Sequence, residues 1–277
     1  MERLQELEEA LRRRVQREER ALGSVGQEPD SLWDHQKRVA VLAVALGRAE
    51  GVDPKACYLA GLFHDAGKFS GGCYHEGEIP EEERSIAILY EMAATWELDP
   101  ELCEQVADAI EQLYRDNAQP GPLARVLFDA DNLDKLGHLG IANFFIKAGL
   151  RGGGVNHKLL YQLTRELTYA RNAARCMMTS AGRKLASEKA PLSVSFLEAF
   201  LDELRVDGLF DFRISQVEFD EFMIDVVSPA ACACGASLER RIWTEQGVKC
   251  TEVHLEHACG GCGARRRLRF CKPRLAT

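Results

Sequence analysis

The chain has 277 residues, 46% of them apolar and 28% charged, with a formal net charge of −8. This length and apolar share suffice for one large core and a smaller module. No apolar run is long enough to span a membrane, and the charged opening from Met1 to Arg20 is unlike a secretory leader, so a soluble protein of the cytoplasm, with no membrane partner, is expected.

In chain order, residues 1–22 place Leu4, Leu7, Leu11 and Val15 at helical spacing among Glu and Arg. That spacing predicts an N-terminal helix that packs on the domain or on a partner chain, which leaves an oligomer open. The stretch Gly23 to Pro29 breaks it, and Asp30 or Ser31 is positioned to cap a second helix carrying His35, Val39, Leu42 and Leu46 on one side. Asp53-Pro54 puts a cap before a proline at the first helical position, and Asp99-Pro100 repeats the device. A further helix is predicted over 121–136, with Leu123, Leu127, Ala130, Asp131 and Asp134 at helical spacing. After the flexible break Arg151 to Gly154, helices are predicted from about His157 to Met178 and from Leu192 to about Leu204. The pattern changes after Gly208. Arg213–Val227 and Glu239–Glu256 are rich in β-branched and aromatic residues, and Gln246-Gly247 suits a hairpin turn.

The adjacent pair His64-Asp65 is the most informative local feature. It offers an imidazole nitrogen and a carboxylate oxygen from neighbouring positions, and one further His and one further Asp from other helices complete a four-ligand metal site. Mixed nitrogen and oxygen ligands suit Mn, Fe, Co, Ni or Zn and leave positions open for water and substrate. His35, one turn from Val39, faces inward. Asp131, beside Ala130 and four residues from Leu127, is an acid on an inward face that needs a partner. Gly67 is expected to end the His64-Asp65 helix at its C′ position and so open a cleft beside the pair.

The stretches Asp34-His35-Gln36-Lys37-Arg38-Val39, Gly61-Leu62-Phe63-His64-Asp65-Ala66-Gly67-Lys68 and Asp129-Ala130-Asp131-Asn132-Leu133-Asp134 resemble the H…HD…D signature of HD-domain metal-dependent phosphohydrolases. The later run from Met178 to Ala186, followed by Phe196-Leu197, resembles the C-terminal helices of small bacterial members, so the resemblance covers roughly residues 30–205. It implies an all-α HD helical bundle with His35, His64, Asp65 and Asp131 as ligands of one divalent transition metal. The family's Ala-Asp-x-Leu pattern selects Asp131 over Asp129 and Asp134. Ile110 to Tyr114 lacks the extra histidine that two-metal members supply, which implies one metal. It further implies hydrolysis of a phosphate ester or anhydride, with a nucleotide or another phosphorylated small molecule as substrate. Alongside the ligand Asp65, two further residues are catalytic candidates. Lys68 is placed to hold a phosphate oxygen, against the alternative of a solvated lysine. His75, in the loop after the site, is an extra ligand, a proton donor or merely exposed.

Six of the ten cysteines lie between Cys232 and Cys271, and with no export signal such clustering reads as metal binding rather than a disulfide framework. Cys57, Cys103 and Cys176 fall within helical apolar patterns as small hydrophobes. Cys232-Ala-Cys234 and Cys259-Gly-Gly-Cys262 flank the predicted hairpin and supply four thiolates for a tetrahedral Zn²⁺, with Cys250, His254, His257 and Cys271 as substitutes. This small β module resembles a zinc ribbon. The expected organisation is therefore mainly α: an N-terminal helix (1–22), an HD domain (23–207) and a β zinc-ribbon-like domain (208–277). From Cys232 onward nine Lys and Arg oppose four Glu, including the run Arg265 to Arg269. Such a strand either neutralises the phosphates of a nucleic acid or is a solvated edge whose charges deter aggregation. A nucleic-acid-binding regulatory protein with a ligand-sensing HD domain is the alternative to the enzyme.

Overall fold

A computed structural model describes residues 2–22, 31–72, 79–113, 115, 119–150, 152–206, 208–247 and 250–274. His75, Cys73 and the expected cap at Asp30 lie outside these residues, as does the side chain of Ser31. Within them the chain is mainly helical, with small antiparallel sheets at its C-terminal end. No helix among the described residues is long and apolar enough to cross a membrane. Two compact units are present, 1–134 with 178–182, and 135–177 with 183–277.

The first unit holds α1 (Glu2–Leu22), α2 (Ser31–Glu50), α3 (Pro54–Phe63), α4 (Glu81–Trp96), α5 (Pro100–Gln112) and α6 (Pro122–Asp134). Helix α1 buries Leu7, Leu11 and Val15, the i, i+4, i+8 stripe of its sequence. Both Asp-Pro caps form as expected. Asp53 accepts hydrogen bonds from the amides of Lys55 (3.3 Å) and Ala56 (3.0 Å), and Asp99 accepts one from Glu101 (3.0 Å). Helix α3 buries Ala56 to Phe63 except Tyr58, so the His-Asp pair follows a buried apolar run, Leu59 to Phe63. The α2–α3 crossing is close because Gly61 lacks a Cβ: one built there would sit 2.4 Å from Ala40 Cα.

The second unit holds α7 (Gly137–Leu150), α8 (His157–Cys176), most of α9 (Ser180–Val206), β1 (Phe212–Phe219), β2 (Phe222–Pro229), β3 (Leu238–Gln246), β4 (Thr251–Cys259) and β5 (Arg265–Cys271). A boundary at residue 208, where the sequence pattern changes, does not match this division. Helices α7 to α9 share one core with the first hairpin, through Ile141, Leu160, Leu163, Leu167, Leu201, Phe212 and Val227. Helix α9 also begins twelve residues before the expected Leu192 and runs through Pro191. Proline removes one helical hydrogen bond, yet Ala186, Ala190, Leu197, Leu201 and Leu204 stay buried along the helix, and that packing holds it continuous.

The expected single β module is two sheets. Strands β1 and β2 form an antiparallel hairpin, and β3-β4-β5 form a separate antiparallel sheet. Helix α8 covers the open edge of β2 with a polar ladder. The Val227 amide donates to Thr164 Oγ1 (2.9 Å), the Asp225 amide to Thr168 Oγ1 (3.1 Å), and Asn172 Nδ2 donates to the Met223 carbonyl (2.9 Å). Steps of four residues on the helix, about 6.0 Å, match steps of two on the strand, about 6.6 Å. Three helix side chains thus satisfy backbone groups that another strand would otherwise pair. Tyr161, Phe222, Ile224, Val226, Val253, Leu255 and Phe270 then form a core between α8, β2 and the three-stranded sheet.

Candidate metal centre

Three elements of the first unit bring the H…HD…D residues together. His35 comes from α2, His64 and Asp65 follow the last turn of α3, and Asp131 comes from α6. One ligand atom each from His35, His64 and Asp131 lies within 4.8 Å of the others. Asp65 Oδ2 is 3.7 Å from His35 Nε2 and 3.8 Å from His64 Nε2. Asp131 Oδ1 is 3.4 Å and 4.0 Å from the same two nitrogens. His35, His64 and Asp131 are buried, and Asp65 is half-buried.

Both imidazoles are oriented by their far nitrogens. His64 Nδ1 lies 2.8 Å from the Gly61 carbonyl, which can only accept, so Nδ1 carries the proton. His35 Nδ1 lies 2.8 Å from Asp134 Oδ2 and donates to it. The Nε2 of each ring then faces the carboxylates of Asp65 and Asp131. His64 Nε2 is buried and has no hydrogen-bond partner. A buried lone pair facing carboxylate oxygens is unfavourable unless a proton or a metal cation sits between them, and the donor set of two imidazoles and two carboxylates suits a divalent transition metal. Burial holds the His64 imidazole below its ordinary pKa, in the neutral form a metal requires, although Asp65 and Asp131 oppose this. At His35 burial acts in the same direction, but Asp131 and Asp134 outweigh it and the pKa rises. A metal must therefore compete with a proton there, and its affinity falls as pH is lowered.

The other acids of the signature have separate roles. Asp134 takes a two-point ion pair from Arg38, Nε at 2.7 Å and Nη2 at 3.0 Å. Burial alone would raise the Asp134 carboxyl, but the hydrogen bonds from His35 and Arg38 bring it down to about 2. Asp129 accepts from the amides of Met178 (2.7 Å) and Thr179 (2.8 Å) and from Thr179 Oγ1 (2.6 Å), and so anchors the start of α9. A Cβ on Gly182 would lie 2.1 Å from Asp129 Oδ2, so Asp129 is packed against that start as well as bonded to it.

Lys68 Nζ forms an ion pair with Asp65 Oδ2. Burial opposes charge on both groups, yet the pairing holds the Asp65 carboxyl well below the ordinary carboxylate range and Lys68 above that of a free lysine. Lys68 is thus the ion-pair partner of Asp65 rather than a solvated surface lysine. Gly67 does not end the helix in a left-handed conformation, because α3 closes at His64 with ordinary helical angles. The glycine instead admits α4: a Cβ there would meet the Ser85 amide nitrogen at 2.5 Å. The Gly67 amide donates to Ser85 Oγ (2.9 Å), which donates to the His64 carbonyl (3.0 Å). Ser85 fixes the backbone of the His-Asp pair, and no pattern in the sequence marks it.

In the second unit, Sγ atoms of Cys232, Cys234, Cys259 and Cys262 lie within 4.8 Å of one another, with Cys232–Cys262 at 3.5 Å and Cys234–Cys259 at 3.4 Å. Tetrahedral Zn–S bonds of about 2.3 Å place sulfurs about 3.8 Å apart. Each knuckle turns through a left-handed glycine, Gly235 (φ 84°) and Gly263 (φ 74°). The Cys262 amide donates to Cys259 Sγ at 3.4 Å and helps bring that thiol down to about 6. Cys250 and Cys271 are not substitute ligands. They are joined as a disulfide, because the β4–β5 register sets Cys271 opposite Glu252, two residues from Cys250. His257 lies against Tyr161, with Nδ1 and the phenol oxygen 3.2 Å apart, and His254 stacks on Trp243, so neither replaces a thiolate. The basic strand is β5, at the edge of its sheet. Arg265 and Arg267 pair with Glu256, and Arg269 with Glu252 (3.7 Å). This is the arrangement of a charged edge.

Residues 32–136 match the HD domain family model. The chain is 27% identical over 183 residues to uncharacterized protein YpgQ of Bacillus subtilis, spanning 60% of this chain and 80% of that protein. Its fold resembles the crystal structure of Bacillus subtilis YpgQ in complex with ADP, with a TM-score of 0.53 at 24% identity, covering 73% of this chain and 97% of the other. It also resembles the Lin1889 protein from Listeria innocua, with a TM-score of 0.51 at 21% identity, covering 73% and 97%. His35, His64, Asp65 and Asp131 all fall inside the span, residues 32–136, that matches the HD domain family model.

Proposed function

We propose that this chain is a metal-dependent phosphohydrolase that cleaves a phosphate ester or anhydride, with a nucleotide as its substrate, and that a structural Zn²⁺ occupies its C-terminal thiolate cluster. One observation carries the reading: the buried His64 Nε2, without a hydrogen-bond partner, faces two carboxylates and a second imidazole nitrogen. His35, His64, Asp65 and Asp131 would hold one divalent transition metal. When bound, the metal polarises a phosphoryl oxygen and brings the pKa of a coordinated water towards neutrality. Asp134 and the Gly61 carbonyl keep both imidazoles in the required tautomer. Asp65, Asp131 and Asp134 carry three negative charges against the two positive charges of Lys68 and Arg38, so with neutral imidazoles the pocket favours a cation. Lys68 offers its remaining N–H donors to an incoming phosphate while holding Asp65 in place. The complex of the similar YpgQ with ADP supports a nucleotide. Arg265, Arg267 and Arg269 of β5 pair with glutamates, so this reading assigns no nucleic acid to that strand.

The test is a hydrolysis screen of nucleoside mono-, di- and triphosphates with Mn, Co, Ni, Fe and Mg. Metal-dependent release of phosphate, pyrophosphate or nucleoside is expected, and a metal-loaded chain that hydrolyses none of them would exclude the reading. Lys68→Ala should raise KM or lower kcat by roughly ten- to a hundredfold, the loss of one charged contact. At saturating metal the occupancy should stay near one, since Lys68 supports Asp65 without being a ligand itself. Unchanged KM and kcat would confine Lys68 to structure.

A further inference from the structure

On α2, Arg38 lies three residues after His35, so both side chains project from one face of the helix. They meet the same carboxylate, Asp134, the last residue of α6. Arg38 Nε donates to Oδ1 (2.7 Å) and Nη2 to Oδ2 (3.0 Å), and Oδ2 also accepts from His35 Nδ1 (2.8 Å). The carboxylate is thus held in the plane of the guanidinium fork, and one of its oxygens fixes the imidazole. The other side of the same imidazole, Nε2, faces Asp131 Oδ1 at 3.4 Å and Asp65 Oδ2 at 3.7 Å.

We infer that Arg38 is a positioning residue of the metal centre: by clamping Asp134 on both oxygens it fixes the rotation and tautomer of His35 and thereby sets the centre's affinity for metal. This rests on the reading of the H…HD…D cluster as a metal site, and adds to it a residue that touches neither metal nor substrate. Without Arg38, Asp134 can rotate about its side-chain bonds, and the His35 ring is held by an acceptor that is no longer fixed in place. Lysine cannot replace the fork, because a single ammonium does not address both oxygens in one plane.

The test uses the full-length, metal-stripped chain and Mn²⁺, a hard cation that avoids the thiolate cluster. Free Mn²⁺ is followed by its electron paramagnetic resonance signal, which gives Kd directly and needs no substrate. Arg38→Met should weaken Mn²⁺ binding by about 10–100-fold, as for loss of other partners behind a metal-ligating histidine. Asp134→Asn should weaken it similarly, and the double variant should be little worse than either alone. Arg38→Lys should fall between wild type and Arg38→Met. The melting temperature of the metal-free proteins records any loss of fold. If Arg38→Met is too unstable to titrate, Arg38→Lys and Asp134→Asn carry the comparison. A stability loss with unchanged Mn²⁺ affinity would overturn the inference, leaving Arg38 as a tie between α2 and α6. A wild-type chain in which the cluster takes up no metal would overturn the reading of the site as well, so the two failures are distinguishable.

Discussion

Asp65→Ala should abolish metal-dependent hydrolysis and strip the first unit of its metal, while the helical fold persists. Asp65 Oδ2 faces both imidazole nitrogens, at 3.7 Å from His35 and 3.8 Å from His64. Removing it takes away one of two ligand carboxylates and unpairs Lys68. Metal catalysis of phosphoryl transfer is worth several kcal/mol, so its loss corresponds to about a thousandfold in rate or more. The fold should survive because Asp65 is half-buried and Lys68, itself partly exposed, can turn its ammonium to water. Asp65→Asn keeps the shape and one acceptor oxygen but loses the charge, so it should bind metal weakly and turn over slowly. Metal analysis of the purified variants, circular dichroism and a nucleotide hydrolysis assay check all three statements. Full metal content with wild-type turnover in Asp65→Ala would remove Asp65 from the site.

What the sequence made legible was what local chemistry encodes. Asp53-Pro54 and Asp99-Pro100 cap helices because an aspartate before a helix-initiating proline satisfies free amides wherever it stands. His35 and Asp131 could be placed inward from 3.6-residue periodicity alone, and both are buried. What stayed hidden depends on partners distant in sequence. Gly67 reads as a helix terminator, but α4 uses its bare Cα to approach, and Ser85 then ties down the His64 carbonyl. Asp134 reads as a rival ligand until Arg38 and His35 are seen converging on it across 96 and 99 residues. Thr164, Thr168 and Asn172 look like ordinary polar positions of a helix, yet they pair the edge of β2. The six clustered cysteines give no sign that two of them close a disulfide, because strand register makes that choice.

Cys259→Ser should lose one zinc per chain and loosen the three-stranded sheet without abolishing catalysis. Cys259 ends β4 and is buried, with its sulfur 3.4 Å from Cys234 Sγ. The four thiolates join the segment before β3 to the β4–β5 turn, and structural zinc contributes on the order of 10 kcal/mol to folding in small zinc modules. The sheet has little core of its own. Val253, Leu255 and Phe270 are buried only by meeting Tyr161, Phe222, Ile224 and Val226. Loss of the metal should therefore speed amide exchange through 232–271. The β1–β2 hairpin keeps the α8 ladder and a core with α7 to α9, so it should remain protected. Unfolding is thus confined to a shorter stretch than the whole region after residue 208. The first unit carries its own core and its own ligands, so its metal and its hydrolysis should persist. Metal analysis, exchange mass spectrometry and the hydrolysis assay separate these effects. Wild-type protein with no zinc in its tail, or with Cys232–Cys262 and Cys234–Cys259 joined as disulfides after purification under reductant, would refute the zinc assignment.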